Sequence, residues 1–363
     1  MKALILSGGA GTRLRPITHT SSKQLVPVAN KPLLFYALDH MAETGVKEVG
    51  MIVGDTADEI MAAVGDGSRW GLSVTYIRQE APLGLAHAVL IAREFLGDDD
   101  FVMYLGDNLL RQGVKSFVER FQEARSASVP EDRRPAAQIL LARVPDPHRF
   151  GVAELDDGGH VVGLVEKPEV PPSDLALVGV YLFDRSIHEA VRSIRPSSRG
   201  ELEITDAIQW LIDHDRPVRS EVVEGYWKDL GELDALLDGN SLILETLPFA
   251  VHGMVDEESN VDQRVLVEAG AEVVRSTIRG PAIIGAGTRV IDSYIGPFTS
   301  IASGCEIVES EIEHAMVLER SRIVDAGRIE DSLIGRDVEV RRSHRRPKGS
   351  RLMIGDHSKV DLG

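Results

Sequence analysis

Over roughly its first 240 residues the chain alternates short apolar runs with segments of helical period. Apolar runs at residues 3–6, 49–53, 101–105, 138–143 and 177–183 have the length and aliphatic character of buried strands. Residues 32–41 and 56–64 carry apolar positions at helical spacing, and Gly45 closes the first of these segments. Residues 152–155 and 161–165, joined by Asp156-Asp157-Gly158-Gly159, predict a hairpin. Strands and helices in alternation predict an α/β domain on a mostly parallel mixed sheet, over residues 1–242.

The last third of the chain obeys another rule. Aliphatic residues recur at steps of six, five and six, a period of 17. The three series are Val267, Ile284, Ile301 and Leu318; Val273, Val290, Ile307 and Val324; and Ile278, Ile295, Ile312 and Ile329. A helix needs steps of three and four, and a hairpin sheet alternates by two. A triangular coil with one inward aliphatic per side fits the spacing, which predicts a left-handed parallel β-helix over residues 261–340. Residues 243–260, with Pro248 and Asp256-Glu257-Glu258, break both patterns and are expected as a linker. Residues 341–363 open with a basic run and hold no acid until Asp356. That tail is either simply solvated or a contact with a neighbouring subunit or an anion.

Composition narrows the function classes. The 363 residues are 43% hydrophobic and 27% charged, and 57 acidic against 40 basic side chains give a formal charge of −17. Such a chain repels nucleic-acid backbones and anionic membrane surfaces. One cysteine, Cys305, excludes an internal disulfide framework, and its position within the 17-residue period suits a small core residue. The four apolar residues after Lys2 are too few for a signal peptide, and no run approaches the 18 or so that a membrane span requires. A soluble, cytoplasmic protein is expected.

The charge is uneven: no Asp or Glu precedes Asp39, whereas Lys2, Arg13, Arg15, Lys23 and Lys31 lie in that stretch. This is either chance clustering or a local anion site. Ser7-Gly8-Gly9-Ala10-Gly11-Thr12-Arg13 directly follows the first strand, and glycines there let backbone N–H groups approach phosphate oxygens. Leu14 stands where a dinucleotide fingerprint needs its third glycine, and no lysine precedes Ser or Thr as a Walker loop requires. Arg13 and Lys23 beside a glycine nest suit a triphosphate.

Leu6 through Pro16, with Ser22-Lys23-Gln24-Leu25-Val26-Pro27, resembles the signature of the sugar-1-phosphate nucleotidylyltransferases, a Rossmann-like family. Further segments narrow the likeness to the thymidylyltransferase branch: Gln79-Glu80-Ala81-Pro82-Leu83-Gly84-Leu85-Ala86 for base recognition, Leu105-Gly106-Asp107-Asn108 for metal, Glu166-Lys167-Pro168 and Arg199 through Asp206 for the sugar phosphate, and Trp227-Lys228-Asp229 for metal again. These motifs occur in order over about 240 residues, and the appended coil is similar to the long forms found in actinobacteria.

The resemblance implies that glucose 1-phosphate attacks the α-phosphorus of dTTP with Mg²⁺ bound; the coil, of a type that commonly packs side by side, predicts a homo-oligomer. It implies that Asp107 and Asp229 hold the metal, a role for which an isolated strand-end Asp would otherwise be read as a turn former or cap. Arg13 and Lys23 would take the triphosphate, and Lys167 with Arg199 the sugar phosphate. Leu6, Gly8, Gly9, Gly11, Thr12, Gln79, Pro82, Gly84 and Asp107 would line the nucleotide. Gln79 can meet a pyrimidine through both amide atoms, with Gly84 offering backbone groups. Gly151, Glu166, Val178 and Trp227 would face the sugar. Two positions depart from the family pattern: Phe150 stands where many short forms carry Tyr, and Leu230 where Thr is commoner. Other readings are the same chemistry with UTP or another sugar or cyclitol phosphate, a non-catalytic regulatory subunit, and acyl transfer, which lone His314 would carry.

Overall fold

In the computed structural model the described residues are all of the chain except Ala10, Thr20, Ala127, residues 224–226, Ser343, residues 345–351 and residues 362–363. They form two compact units. The first comprises Met1–Ala10, Ser22–Gln24 and Leu34–Asp229; the second comprises Gly11–Ser21, Leu25–Leu33 and Leu230–Gly363.

The strands of the first unit are β1 (Lys2–Leu6), β2 (Glu48–Val53), β3 (Ser73–Arg78), β4 (Phe101–Leu105), β5 (Asn108–Leu110), β6 (Ala137–Arg143), β7 (Gly151–Leu155), β8 (Val161–Glu166), β9 (Leu175–Phe183), β10 (Val218–Val222) and β11 (Trp227–Asp229). Nine of them make one sheet in the order β8-β7-β9-β4-β1-β2-β3, with β6 also pairing β9 and β10 pairing β6. Strands β4, β1, β2 and β3 run parallel. Around β9 the pairing with β4, β6 and β7 is antiparallel, so the parallel character is confined to one half of the sheet and the β6–β10 pair. All nine residues of β9 are buried, which explains its unbroken apolar run. Helices Leu85–Ile91, Ile187–Ser193 and Ile204–Asp213 cover it with Ala86, Val89, Ile187, Ile204 and Ile208, all within one buried core. Strands β5 and β11 form a separate antiparallel ladder.

In the second unit, parallel strands climb along three ladders. Val267, Ile284 and Ile301 stack on one, Val273, Val290 and Ile307 on the next, and Ile278, Ile295, Ile312 and Ile329 on the third. Their side chains, with that of Cys305, form a continuous buried core, against which half-buried Ile329 packs. The fourth turn departs from the strict period: Ile301 pairs with Val317 and Ile307 with Ile323, each a step of 16. Val317 and Ile323 therefore point inward, in place of the Leu318 and Val324 expected from the sequence. One residue is lost between Ile312 and Val317 and regained at the bulge after Val308.

The expected linker holds the first turn of the stack, since Ala250–Val251, Met254–Val255 and Asn260–Val261 pair in parallel with the strands that follow. Steps of 16 (Val251 to Val267) and 18 (Val255 to Val273) hide that turn from a 17-residue search. Helix Leu233–Leu244 and the short hairpin of Pro27–Val28 and Lys31–Pro32 belong to this unit too. Asn240 is fully buried; it accepts from the Ala29 N–H and donates to the Phe298 carbonyl, and Asn30 donates to the Ile301 carbonyl. No helix among the described residues is long and apolar enough to cross a membrane.

Candidate active site

The parallel strands end together, and glycines let their exits touch. After β1, Ser7 donates both its N–H and its hydroxyl to the Ile52 carbonyl. A Cβ on Gly54 would lie 2.8 Å from the Gly8 oxygen, and one on Gly106 would lie 2.9 Å from the Leu6 oxygen. Side chains at either position would prise the loop after β1 away from its neighbours. Ends of parallel strands are the usual mouth of an α/β site, and Asp107 stands there, two residues beyond β4.

Lys23 is buried, and its ammonium donates to the Asp107 carboxylate. Burial alone would raise the Asp107 pKa. The Lys23 charge and hydrogen bond, helped by the Asn108 amide, outweigh it and hold the carboxyl below the usual range. Asn108, 4% exposed, is the hub of the site: it donates to Asp107 (3.0 Å) and accepts from the Gly179 N–H (3.1 Å) and the Trp227 indole (2.6 Å). Gly179 lies where β9 slips register against β6, between Leu177 and Tyr181, and a Cβ there would fall 2.6 Å from the Asn108 amide. In the β5–β11 ladder Asp229 faces Asn108, so its backbone is one residue out of line with Asp107.

The carboxylates of Asp107 and Asp229, carried on adjoining strand ends, are hard oxygen donors. Among the described residues no cluster of three or more His, Cys, Asp or Glu exists that could enclose a metal. Such a sparse donor set fits Mg²⁺, which takes one or two protein carboxylates and fills its octahedron with water and substrate phosphate.

On one side of this centre, Glu166 accepts from Arg199 (3.2 Å) and from Thr205 (3.2 Å), and lies 3.8 Å from the Lys167 ammonium. Partial burial opposes the Arg199 charge, but Glu201, Glu203 and Glu166 together raise its pKa. A Cβ on Gly151 would lie 2.6 Å from the Thr205 methyl and 3.1 Å from a Glu166 oxygen, so only glycine leaves room there. Val178 is buried in β9, and Phe150 meets Trp227 edge to face at 5.5 Å between ring centres.

On the other side, Gln79 follows β3 at the edge of the parallel half. Its amide nitrogen is 3.3 Å from the Gly84 carbonyl and 3.0 Å from His87 Nδ1. The expectation that both amide atoms serve a base is thereby narrowed, since the nitrogen is engaged within the protein. Gly84 has φ of 103°, and a Cβ on it would collide with the Leu202 carbonyl at 2.3 Å. Pro82 is exposed.

Of the remaining expected residues, Leu6 closes β1, and a Cβ on Gly9 would lie 3.4 Å from the Gln24 amide nitrogen. Gly11, Thr12 and Arg13 belong to the second unit, where Gly11 has φ of 62° and exposed Arg13 lies 3.7 Å from Glu232. Asn108, Thr205 and His87 carry contacts to which the sequence reading assigned no role. A glycine within an apolar strand marks close backbone approach, and Gly179 was the available signal for Asn108.

This fold, with Asp107, Lys23 and Asp229 at its strand ends, is that of a nucleotide-transfer enzyme, as the likeness to known proteins shows. The profile of the nucleotidyl transferase family matches residues 2–246, and the chain belongs to that family. Over 362 residues, 100% of this chain and 99% of the relative, it is 59% identical to the glucose-1-phosphate thymidylyltransferase of Streptomyces griseus. The namesake of Streptomyces antibioticus is 58% identical over the same shares. A Bacillus anthracis structure described as a glucose-1-phosphate thymidylyltransferase, in complex with sucrose, superposes with a TM-score of 0.62 at 32% identity, covering 69% of this chain and 97% of that one.

Proposed function

We propose that this chain transfers the thymidylyl group of dTTP to glucose 1-phosphate, giving dTDP-glucose and pyrophosphate. The observation that carries the reading is the meeting of Lys23, Asp107 and the Asp229 backbone at the strand ends. End-to-end likeness to two Streptomyces glucose-1-phosphate thymidylyltransferases supports the choice of substrates.

The reaction forms a bond from a sugar-phosphate oxygen to the α-phosphorus as the bond from that phosphorus to the β-phosphate oxygen breaks. The attacking phosphate has a second pKa near 6, so it is mostly a dianion at neutral pH and needs no base. Alignment and charge neutralisation then supply the catalysis. Arg199 and Lys167 hold the sugar phosphate, with Glu166, Gly151, Val178 and Trp227 around the sugar. Lys23 takes up the charge that gathers on departing pyrophosphate, and the Gly8-Gly9 backbone follows the phosphates. Gln79, Pro82 and Gly84 receive the base. Asp107 and Asp229 would hold Mg²⁺, which withdraws charge from the α-phosphate and makes its phosphorus more electrophilic. In the structure Lys23 neutralises Asp107 directly, a pairing that keeps the half-buried carboxylate ionised for a cation.

The three ladders are read here as a left-handed parallel β-helix that serves assembly. Phe249, Val251 and Met254, exposed on its first turn, support a homo-oligomer.

Pyrophosphate release with glucose 1-phosphate and Mg²⁺ tests the function, run separately with dTTP, UTP, CTP, ATP and GTP. Turnover should be greatest with dTTP, and preference for another triphosphate would overturn the assignment of the nucleotide.

A further inference from the structure

Resting on the reading of Gln79 as the residue that receives the base, we infer that His87 is a specificity-determining positioning residue. It fixes which end of the Gln79 carboxamide faces the nucleotide.

An amide nitrogen can only donate. With Gln79 Nε2 3.0 Å from His87 Nδ1, that ring nitrogen must accept, so the imidazole is neutral and carries its proton on Nε2. Burial supports this by lowering the His87 pKa. The second amide hydrogen goes to the Gly84 carbonyl. Both partners are held from outside the site: the Ala86 N–H donates to the Leu202 carbonyl, and the Leu202 N–H to the Leu83 carbonyl, so the backbone bracketing Gly84 and leading into His87 is clamped.

Gln79 Oε1 therefore remains as the group offered to a ligand, and it lies 3.8 Å from where a Cβ on Gly8 would stand. An acceptor held in this position takes the N3–H of thymine or uracil. Cytosine presents a bare lone pair at N3, and adenine one at N1, so either base sets acceptor against acceptor. Turning the carboxamide over would reverse the preference, and it would set Oε1 against the Gly84 carbonyl and require the His87 proton to move from Nε2 to Nδ1.

The test compares wild type, His87→Leu and His87→Asn with dTTP and with dCTP at saturating glucose 1-phosphate. Asparagine keeps an acceptor near the place of Nδ1, whereas leucine fills the space without one. In His87→Leu, KM for dTTP should rise and kcat stay within about twofold. The dTTP-over-dCTP ratio of kcat/KM should fall about tenfold, the worth of one hydrogen bond. His87→Asn should recover most of that ratio. An unchanged ratio in His87→Leu would overturn the proposal. Nitrogen-15 NMR of the His87 ring in the full-length protein gives an independent readout: a proton on Nε2 alone supports the proposal, and one on Nδ1 overturns it. Should wild type fail to use dTTP, the functional reading falls, and the ring tautomer still judges the Gln79–His87 contact.

Discussion

Asp229 stands opposite Asn108 in the β5–β11 ladder, and Asn108 donates its amide hydrogen to Asp107. One buried asparagine thus joins the Asp107 carboxylate to the strand that carries Asp229. Asp107→Asn and Asp229→Asn should each lower kcat by about a hundredfold or more. Chelation should abolish wild-type turnover and added Mg²⁺ restore it. Pyrophosphate release read across a Mg²⁺ titration checks both, and the Asp229 variant should need more Mg²⁺ for half its own maximum.

Gly179→Ala tests the hub without touching a carboxylate. The new methyl would lie 2.6 Å from the Asn108 amide and must displace it. Overpacking of this kind costs about 1–3 kcal/mol. Denaturant unfolding should show that loss, and kcat should fall as Asp107 and Trp227 lose their common partner.

In the repeat, Ile323 rather than Val324 occupies the inward place. Ile323→Ala should destabilise the second unit by about 2–4 kcal/mol, the usual cost of a core cavity. Val324→Ala, at a half-buried position, should cost less than about 1 kcal/mol. Urea unfolding followed in the two variants distinguishes the 16-residue step from a strict period of 17.

Burial raises the Glu203 pKa above the ordinary glutamate value, against the opposing hydrogen bond from Ser197. The folded chain therefore binds this proton more tightly than the unfolded chain does. As pH rises from about 4.3 through the folded pKa, the unfolded state gives up its proton first, and this group's contribution to stability declines. Glu203→Gln cannot ionise, so its stability relative to wild type should grow across that window and then level off. Melting temperatures recorded against pH for both proteins show the difference.

Much of this was legible beforehand because each buried strand is an unbroken aliphatic run. The run at 101–105 coincides with Phe101–Leu105, and those at 3–6 and 49–53 fall one residue short of Lys2–Leu6 and Glu48–Val53. Strand Ser73–Arg78, at the sheet's edge, carries no such run because its residues are exposed or half-buried. Helix Ile204–Asp213 opens inside the Arg199–Asp206 motif, and its buried Ile204, Ile208 and Leu211 recur at helical spacing. The irregular turns of the repeat defeat any fixed period, as the steps at Val251, Val255, Ile301 and Ile307 show. At the site, motif residues name the chemistry, whereas His87 acts through a hydrogen bond that only folding creates.

In the proposed reaction a phosphate oxygen of glucose 1-phosphate attacks the α-phosphorus of dTTP. It is tested most directly by supplying glucose 1-phosphate with oxygen-18 at all four phosphate oxygens and weighing both products by mass spectrometry. All four labels should appear in dTDP-glucose and none in pyrophosphate. Label in pyrophosphate, or dTDP-glucose lacking any of the four, would contradict the account.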